Sequence, residues 1–248
     1  MLNQNTLEKL QSLRLTGMLK ALEEQMEMPQ CADLTFEERL GLLVDREATE
    51  RENRRLKTRL KKARFRQSAT VEDIDFRHPR GLNKSLMMSL ASCEWISEHR
   101  NCLITGPTGS GKSYLACALG QKACREGYSV VYYRTPRLFQ ELAIARGDGR
   151  YLKLLAGFAK TDLFILDDWG ISHLTTEQRH DLLEIVEDRY DRRSMLVAGQ
   201  LPVAHWHEVI GDPTLADAIL DRFIHNAHKI ALKGDSMRKK KGKANGLS

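Results

Sequence analysis

In residues 1–66, apolar side chains recur every three or four positions, the spacing of an amphipathic helix. A first helical stretch runs up to Pro29, which predicts its end because proline disfavours helix in the residue before it. Thr35 is followed three residues later by Glu38, the pattern of a capping box at the start of a helix. We therefore predict an all-helical region, in which the second helix carries an apolar stripe of Phe36, Leu40, Leu43, Val44 and Ala48.

From residue 100 the pattern changes to short apolar runs that alternate with helical segments, which predicts a parallel sheet with crossover helices. Residues 67–99 form a connector, so we place the boundary between two domains near residue 68. Two helices, 136–145 and 151–158, separate the second strand from the third. The predicted strands are Asn101–Thr105, Ser129–Arg134, Leu163–Leu166, Met195–Ala198 and Lys229–Leu232.

Residues 106–113 read GPTGSGKS and match the P-loop pattern G-x-x-x-x-G-K-[ST] at every fixed position. The glycines allow successive backbone N–H groups to face a phosphate, and the helix that follows adds the positive end of its dipole. Lys112 is expected to reach the β- and γ-phosphates of ATP, and the Ser113 hydroxyl to hold Mg²⁺. A chance glycine-rich loop is the alternative, but a strand before the motif and a buried helix after it favour nucleotide binding. The candidate nucleotide-binding residues are Gly106, Pro107, Thr108, Gly109, Ser110, Gly111, Lys112, Ser113 and Tyr114.

The predicted strand at 163–166 delivers two adjacent carboxylates, Asp167 and Asp168, to the carboxyl edge of the sheet. Paired aspartates are common at strand ends, but their position after a P-loop makes this a Walker B pattern. We expect Asp167 to organise Mg²⁺ and Asp168 to orient the attacking water as a general base.

Two further polar residues have competing interpretations. Gln200 follows the fourth predicted strand, next to the expected γ-phosphate position, and is either a sensor of that phosphate or a turn residue before Leu201-Pro202. Arg222 lies on a predicted helix from about Pro213 to Ala227, and its alternative role is an intrahelical contact, for instance a salt bridge with Asp217 or a contact with groups beside Ala218.

Residues 51–66 contain nine basic residues and one glutamate. Self-repulsion of such a run favours a polyanionic partner over a bare solvated helix, so we predict contact with DNA phosphates. On a helical wheel the candidate DNA-binding residues form one narrow arc of Arg51, Arg55, Arg59, Lys62 and Arg66.

Composition adds little that is specific. The 248 residues are 42% hydrophobic and 29% charged, with a net charge of +6, an ordinary balance for a globular protein. Five scattered cysteines without a C-x-x-C pair indicate reduced thiols, and no run has the length of a membrane span or a signal peptide, so we expect a cytoplasmic protein without a membrane partner.

Together these motifs resemble the IstB-like transposition helper ATPases, a family of the AAA+ class related to the DnaC-type helicase loaders. The resemblance rests on the P-loop, the run LDDWG at 166–170, the step QLP at 200–202, the run DAILDR at 217–222 and GDSMR at 234–238. It implies an α/β P-loop NTPase core with a parallel sheet, without a C-terminal lid domain, preceded by a small all-helical domain. The expected domains are 1–67, which binds DNA or a partner, and 68–248, the AAA+ ATPase with a basic tail.

The resemblance also implies roles for residues. Asp168 stands where most AAA+ proteins have glutamate, Gln200 resembles sensor 1, Arg222 resembles an arginine finger that completes a neighbour's site, and Arg238 resembles sensor 2. The helix pair at 136–158 resembles the extra element of the initiator and loader branch, which adds Arg146, Arg150 and Lys153 as candidate DNA contacts. The implied cofactors are ATP and Mg²⁺, and the implied partners are double-stranded DNA, a transposase and further copies of the chain.

Two alternatives remain open. A DnaC-like helicase loader would bind a replicative helicase through residues 1–66, although the strongly basic run favours direct contact with DNA. A small-molecule P-loop kinase would need an acceptor pocket and a lid, and the sequence indicates neither.

Overall fold

The computed structural model describes residues 2–234 and Met237, and the chain forms two compact units, Met1–Thr58 and Arg59–Ser248. In the described part, no helix is both long and apolar enough to cross a membrane.

The first unit is helical, as the spacing of its apolar residues predicts. It contains α1 (Leu2–Ser12), α2 (Thr16–Glu27), a 3-10 turn at Pro29–Asp33 and most of α3 (Phe36–Ala63). The capping box is confirmed, because the Glu38 carboxylate accepts from the Thr35 N–H at 2.8 Å and the Thr35 hydroxyl accepts from the Glu38 N–H at 3.3 Å. The predicted apolar stripe is not a core, however, since Phe36 is 74% exposed.

The contacts that hold α2 are polar. The buried Glu47 carboxylate of α3 accepts from the backbone N–H groups of Gly17 and Met18 at 2.7 and 3.3 Å, and from the Arg51 guanidinium at 2.6 Å. Burial opposes the charge on Glu47, but these donors outweigh it and hold its pKa below the ordinary value. Gly17 is required, because a Cβ there would overlap the backbone of α3 at Arg46 and Glu47.

The second unit is a five-stranded parallel sheet in the order β2-β3-β4-β1-β5. The strands are β1 (Asn101–Thr105), β2 (Val130–Arg134), β3 (Leu163–Trp169), β4 (Ser194–Gly199) and β5 (Ala227–Ala231). All five predicted strands are present, and β3 extends three residues beyond its predicted end.

Helices cover this sheet as expected of an α/β fold. They are α4 (Lys84–Ala91), α5 (Glu94–Ser97), α6 (Lys112–Arg125), α7 (Thr135–Gly147), α8 (Tyr151–Lys160), α9 (Thr176–Arg189), α10 (Trp206–Ile210) and α11 (Pro213–Ile224). The predicted helix reaching Ala227 ends earlier, because Ala227 already pairs with Asn101 as the first residue of β5.

Aromatic side chains fill the core on one side of the sheet. Phe164 of β3 lies 6.0 Å from the Tyr133 ring and 5.1 Å from the Phe158 ring, and Trp169 packs edge to face against Trp206 at 5.6 Å. This core fixes β3, the strand that carries both aspartates.

Candidate nucleotide-binding site

The P-loop Gly106–Ser113 joins β1 to α6, the strand–loop–helix order that the motif requires. Gly106, Gly109 and Gly111 have φ values of 148°, 83° and 100°, which favour glycine. Gly106 also has no room for a side chain, because a Cβ would lie 2.6 Å from the Leu232 carbonyl oxygen. The glycines of the motif therefore serve the loop's shape.

The loop has the features of an anion site. Lys112 is 9% exposed, and its Nζ donates to the carbonyl oxygens of Gly106 and Pro107 at 2.8 and 2.9 Å, so it already lies across the loop. The buried Ser110 Oγ has no hydrogen-bond partner within the described residues. With the positive end of the 14-residue α6, this arrangement fits a polyphosphate.

Asp167 ends the apolar run of β3 and is 1% exposed. Its Oδ2 accepts from the Tyr132 hydroxyl at 2.5 Å and its Oδ1 from the Asp168 N–H at 2.8 Å, so the carboxylate is held rigidly. Burial, followed by the charge of Asp167, raises the pKa of Tyr132, which therefore stays protonated as the donor. Sequence reasoning missed Tyr132, which pairs with Ile165 of β3, two residues before Asp167.

Asp168 is held by two arginines. Its Oδ2 accepts from Arg134 Nε at 2.5 Å and lies 3.6 Å from an Arg66 nitrogen. Asp168 has a φ of 58°, and the pairing of β3 with β4 shifts register between Leu166 and Trp169. A left-handed conformation at a non-glycine residue is a strained feature that is typical of functional sites. The candidate base is thus ion-paired, which the sequence did not reveal.

Gln200 reaches the P-loop from the end of β4. Its Oε1 accepts from the Thr108 hydroxyl at 2.9 Å. Gln200 therefore contacts the P-loop, and whether it serves as a sensor or as a turn residue stays a prediction.

Arg222 lies at the opposite edge of the sheet from the P-loop. Its carbonyl oxygen accepts from the side-chain amide of Asn101, the first residue of β1, whereas the P-loop follows the last residue of that strand. Its guanidinium pairs with Glu187 of α9 at 3.0 Å and donates to the Ala218 carbonyl at 2.7 Å, rather than pairing with Asp217. One strand of five residues spans about 16 Å, so Arg222 does not reach the P-loop of its own chain.

The predicted basic arc is divided by the fold. Arg51, Arg55 and Lys62 are exposed, but Arg59 is half-buried, with its Nε donating to the Cys124 carbonyl at the end of α6 at 2.8 Å. Arg59 therefore stabilises a helix end, where a cation is favoured. Sequence reasoning missed three exposed basic residues on the same helix, which are Arg54, Lys57 and Lys61. We define the exposed basic face as Arg51, Arg54, Arg55, Lys57, Lys61 and Lys62, which are all exposed on α3.

The three candidate DNA contacts around the α7–α8 turn are also of two kinds, two in ion pairs and one exposed lysine. Arg146 pairs with Asp181 and with Glu177, the latter at 3.1 Å, and Arg150 pairs with Asp148 at 2.5 Å. Lys153 is exposed.

Among the described residues no group of three or more His, Cys, Asp or Glu side chains forms a metal cluster. Arg238, the predicted sensor 2, and the lysines after it lie outside the described residues.

Comparison with known proteins identifies the family. The model of the IstB-like ATP binding proteins matches residues 8–245. This chain belongs to that family. An insertion sequence ATP-binding protein of Sinorhizobium fredii is 53% identical over 239 residues, which cover 96% of this chain and 98% of the relative. The IS1162 ATP-binding protein of Pseudomonas fluorescens is 50% identical over 203 residues, 82% of this chain and 88% of the relative.

Solved structures share the fold. The DnaC helicase loader has a TM-score of 0.54 at 18% identity, over 66% of this chain and 97% of that chain. The replication initiator DnaA bound to AMPPCP and single-stranded DNA has a TM-score of 0.57 at 18% identity, over 75% of this chain and 57% of that chain. The predicted parallel α/β core is thereby confirmed, and the helices α1 to α3 confirm the helical region predicted before it.

Proposed function

We propose that this chain is an ATPase that assembles on double-stranded DNA and recruits or activates a partner transposase. The observation that carries the proposal is the P-loop opposite the ion-paired Asp168 in a family of insertion sequence ATP-binding proteins. The exposed basic face supports the second part of the proposal, which is binding to double-stranded DNA, since exposed lysines and arginines bind duplex phosphates without reading sequence.

In this proposal the P-loop backbone and Lys112 hold the phosphates of ATP. Ser113 and Asp167 would hold Mg²⁺, which would neutralise negative charge on the phosphates when bound. One serine and one carboxylate suffice, because Mg²⁺ keeps waters and phosphate oxygens as its other ligands. Gln200 is placed to detect the γ-phosphate or to orient the attacking water.

Asp168 takes the role of general base. Its Oδ2 is engaged by Arg134, which competes with the attacking water for the carboxylate, so hydrolysis by the resting subunit is expected to be slow. Asp168 is also one methylene shorter than the glutamate of most AAA+ proteins, which has the same effect.

Arg222 acts on a neighbouring subunit. It lies across the sheet from its own P-loop, so a role in catalysis requires a second copy whose P-loop it meets. An arginine supplied in this way can raise the rate by about 10³–10⁵. Arg222 would have to leave Glu187, an exposed partner that costs little to exchange.

A DnaC-like helicase loader remains the second candidate. The observation in its favour is the first unit's exposed apolar side chains, which suit a protein partner: Phe36, Leu40 and Val44. The kinase alternative is set aside by the family to which the chain belongs.

The test measures molecular mass with and without duplex DNA and AMPPCP, and then DNA-stimulated phosphate release with ATP. We expect a larger assembly only when both ligands are present, and none with Lys112→Ala. A single-copy species under every condition would overturn the assembly on DNA.

The shared site is tested by mixing two inactive variants. Lys112→Ala lacks the phosphate site and Arg222→Ala lacks the arginine, so co-assembled subunits regain activity where an intact P-loop meets an intact Arg222. No recovery in mixtures that demonstrably co-assemble would show that Arg222 acts within its own chain or only stabilises α11.

A further inference from the structure

Behind the P-loop lies a buried arginine that the motifs do not include. Arg80, in the connector before α4, is 2% exposed. Its Nη1 donates to the Ser110 carbonyl oxygen at 2.9 Å and lies 3.0 Å from Met237 Sδ, and its Nη2 lies 3.3 Å from the Asp75 carbonyl oxygen. The side chain therefore joins the connector, the loop and the segment after β5.

The charge of Arg80 is not balanced within the described part of the chain. Its acceptors are neutral, no carboxylate there lies within 4 Å of it, and its Nε has no partner. The nearest carboxylate that acts on it, Asp75, is paired with Arg77 at 3.2 Å. Burial lowers the pKa of Arg80, as expected for a cation removed from water. A buried charge without a counter-charge is costly, so its retention calls for an explanation.

The P-loop lies directly against this guanidinium. A Cβ on Gly111 would overlap Arg80 Nη1, so the glycine admits the arginine as well as the loop's own turn. Residues 106–113 contain no acidic side chain. Lys112, the start of α6 and Arg80 therefore place three sources of positive potential around one loop, which favours an anion seated there.

We propose that Arg80 is a second cation of the phosphate site and a positioning residue of the P-loop. It holds the Ser110 carbonyl away from the phosphates so that the following N–H groups face them, and a bound polyphosphate adds negative charge beside its buried guanidinium. This inference rests on the proposed nucleotide binding. It implies that affinity rises steeply with ligand charge, from AMP to ATP.

The test replaces Arg80 with methionine, which has similar length and no charge, and with lysine, which keeps the charge. The measurements are the thermal midpoint with and without Mg²⁺ and AMPPCP, and the Kd values for ATP and AMP. We expect Arg80→Met to leave the ligand-free midpoint unchanged or to raise it. The variant should show a smaller midpoint shift with AMPPCP and an affinity for ATP that is lower by about tenfold. The loss for AMP should be smaller, and Arg80→Lys should recover most of the ATP affinity.

The opposite pattern overturns the proposal. An Arg80→Met variant with a lower ligand-free midpoint and an unchanged ATP-to-AMP affinity ratio would make Arg80 a purely structural residue. If that variant does not fold, Arg80→Gln, which keeps a donor for the Ser110 carbonyl, replaces it. If neither neutral variant folds while Arg80→Lys does, the proposal also fails.

The response of the wild type to AMPPCP separates this inference from the proposed function. Lys112→Ala, which lacks the phosphate site, is the control without a response. A wild type whose midpoint does not respond to AMPPCP would refute nucleotide binding itself. A wild type that responds, alongside an Arg80→Met variant that responds equally, would refute only the role of Arg80.

Discussion

Residues 36–48 of α3 and residues 163–169 of β3 are both rich in apolar side chains, yet only those of β3 are buried in a core. Phe164 is fully buried among other aromatic rings, whereas Phe36 is 74% exposed. The first unit is joined instead through the buried Glu47 carboxylate and the close approach at Gly17. The apolar pattern thus predicts a helix in the first place and a strand in the second, but only neighbouring elements decide whether the apolar side chains become a core.

Core truncation should give the largest contrast. Phe164→Ala removes a fully buried ring and should lower the free energy of unfolding by about 3–5 kcal/mol, whereas Phe36→Ala should change it by less than about 0.5 kcal/mol. Urea unfolding at several protein concentrations measures both. A loss above about 1 kcal/mol for Phe36→Ala would mean that the exposed stripe is covered in solution.

A smaller effect is expected from the carboxylate that joins α2 to α3. Glu47→Gln keeps the shape but removes the charge, and should cost about 1–3 kcal/mol in the protection of α2 amides from hydrogen exchange. Because the pKa of Glu47 is lowered in the folded protein, its stabilisation is present above the unfolded value near 4.5 and is lost as the pH falls through the folded value.

The pH dependence supplies the control for that prediction. Wild-type α2 should lose protection on acidification below about pH 4.5, and the Glu47→Gln variant should lose less over the same range. Parallel pH profiles would assign the acid sensitivity to other carboxylates.

The smallest effect is expected for DNA binding. The exposed basic face lies along α3 and contains residues of both units, so the contribution of each unit can be measured separately. Replacing Arg55 and Lys57 with glutamine removes two charges in the first unit, and replacing Lys61 and Lys62 removes two in the second. If all four contact phosphates, each pair should reduce the log–log salt slope of duplex binding by about 1.8.

Arg59→Gln is the matched control on the same helix. Its guanidinium serves the Cys124 carbonyl, so the variant should lose stability but keep the salt slope. If neither glutamine pair changes the slope, the face is solvated or meets protein. If only one changes it, the DNA-binding surface belongs to one unit.

Most of the fold of the second unit was predictable from the sequence because each strand is a short apolar run between helical segments, the P-loop residues lie at fixed spacings, and two aspartates follow the third apolar run. What the sequence could not show depends on contacts between distant segments. Arg80 and Ser110 are 30 residues apart, Arg134 and Asp168 are 34 apart, and no local pattern pairs them. The helical wheel failed at Arg59 for the same reason, since it places residues on an arc without showing which arc is covered.

The pairing of Asp168 with Arg134 and Arg66 gives the resting subunit a property of its own. Asp168 Oδ2 accepts a hydrogen bond from Arg134 and also forms an ion pair with Arg66, so both arginines compete with a water molecule for this oxygen. Both arginines are more than one-third exposed, so a polyanion in the surrounding solution has access to them. If Asp168 is the base, as we propose, a phosphate backbone that binds these arginines would free the carboxylate, so DNA binding would set the moment at which ATP hydrolysis begins.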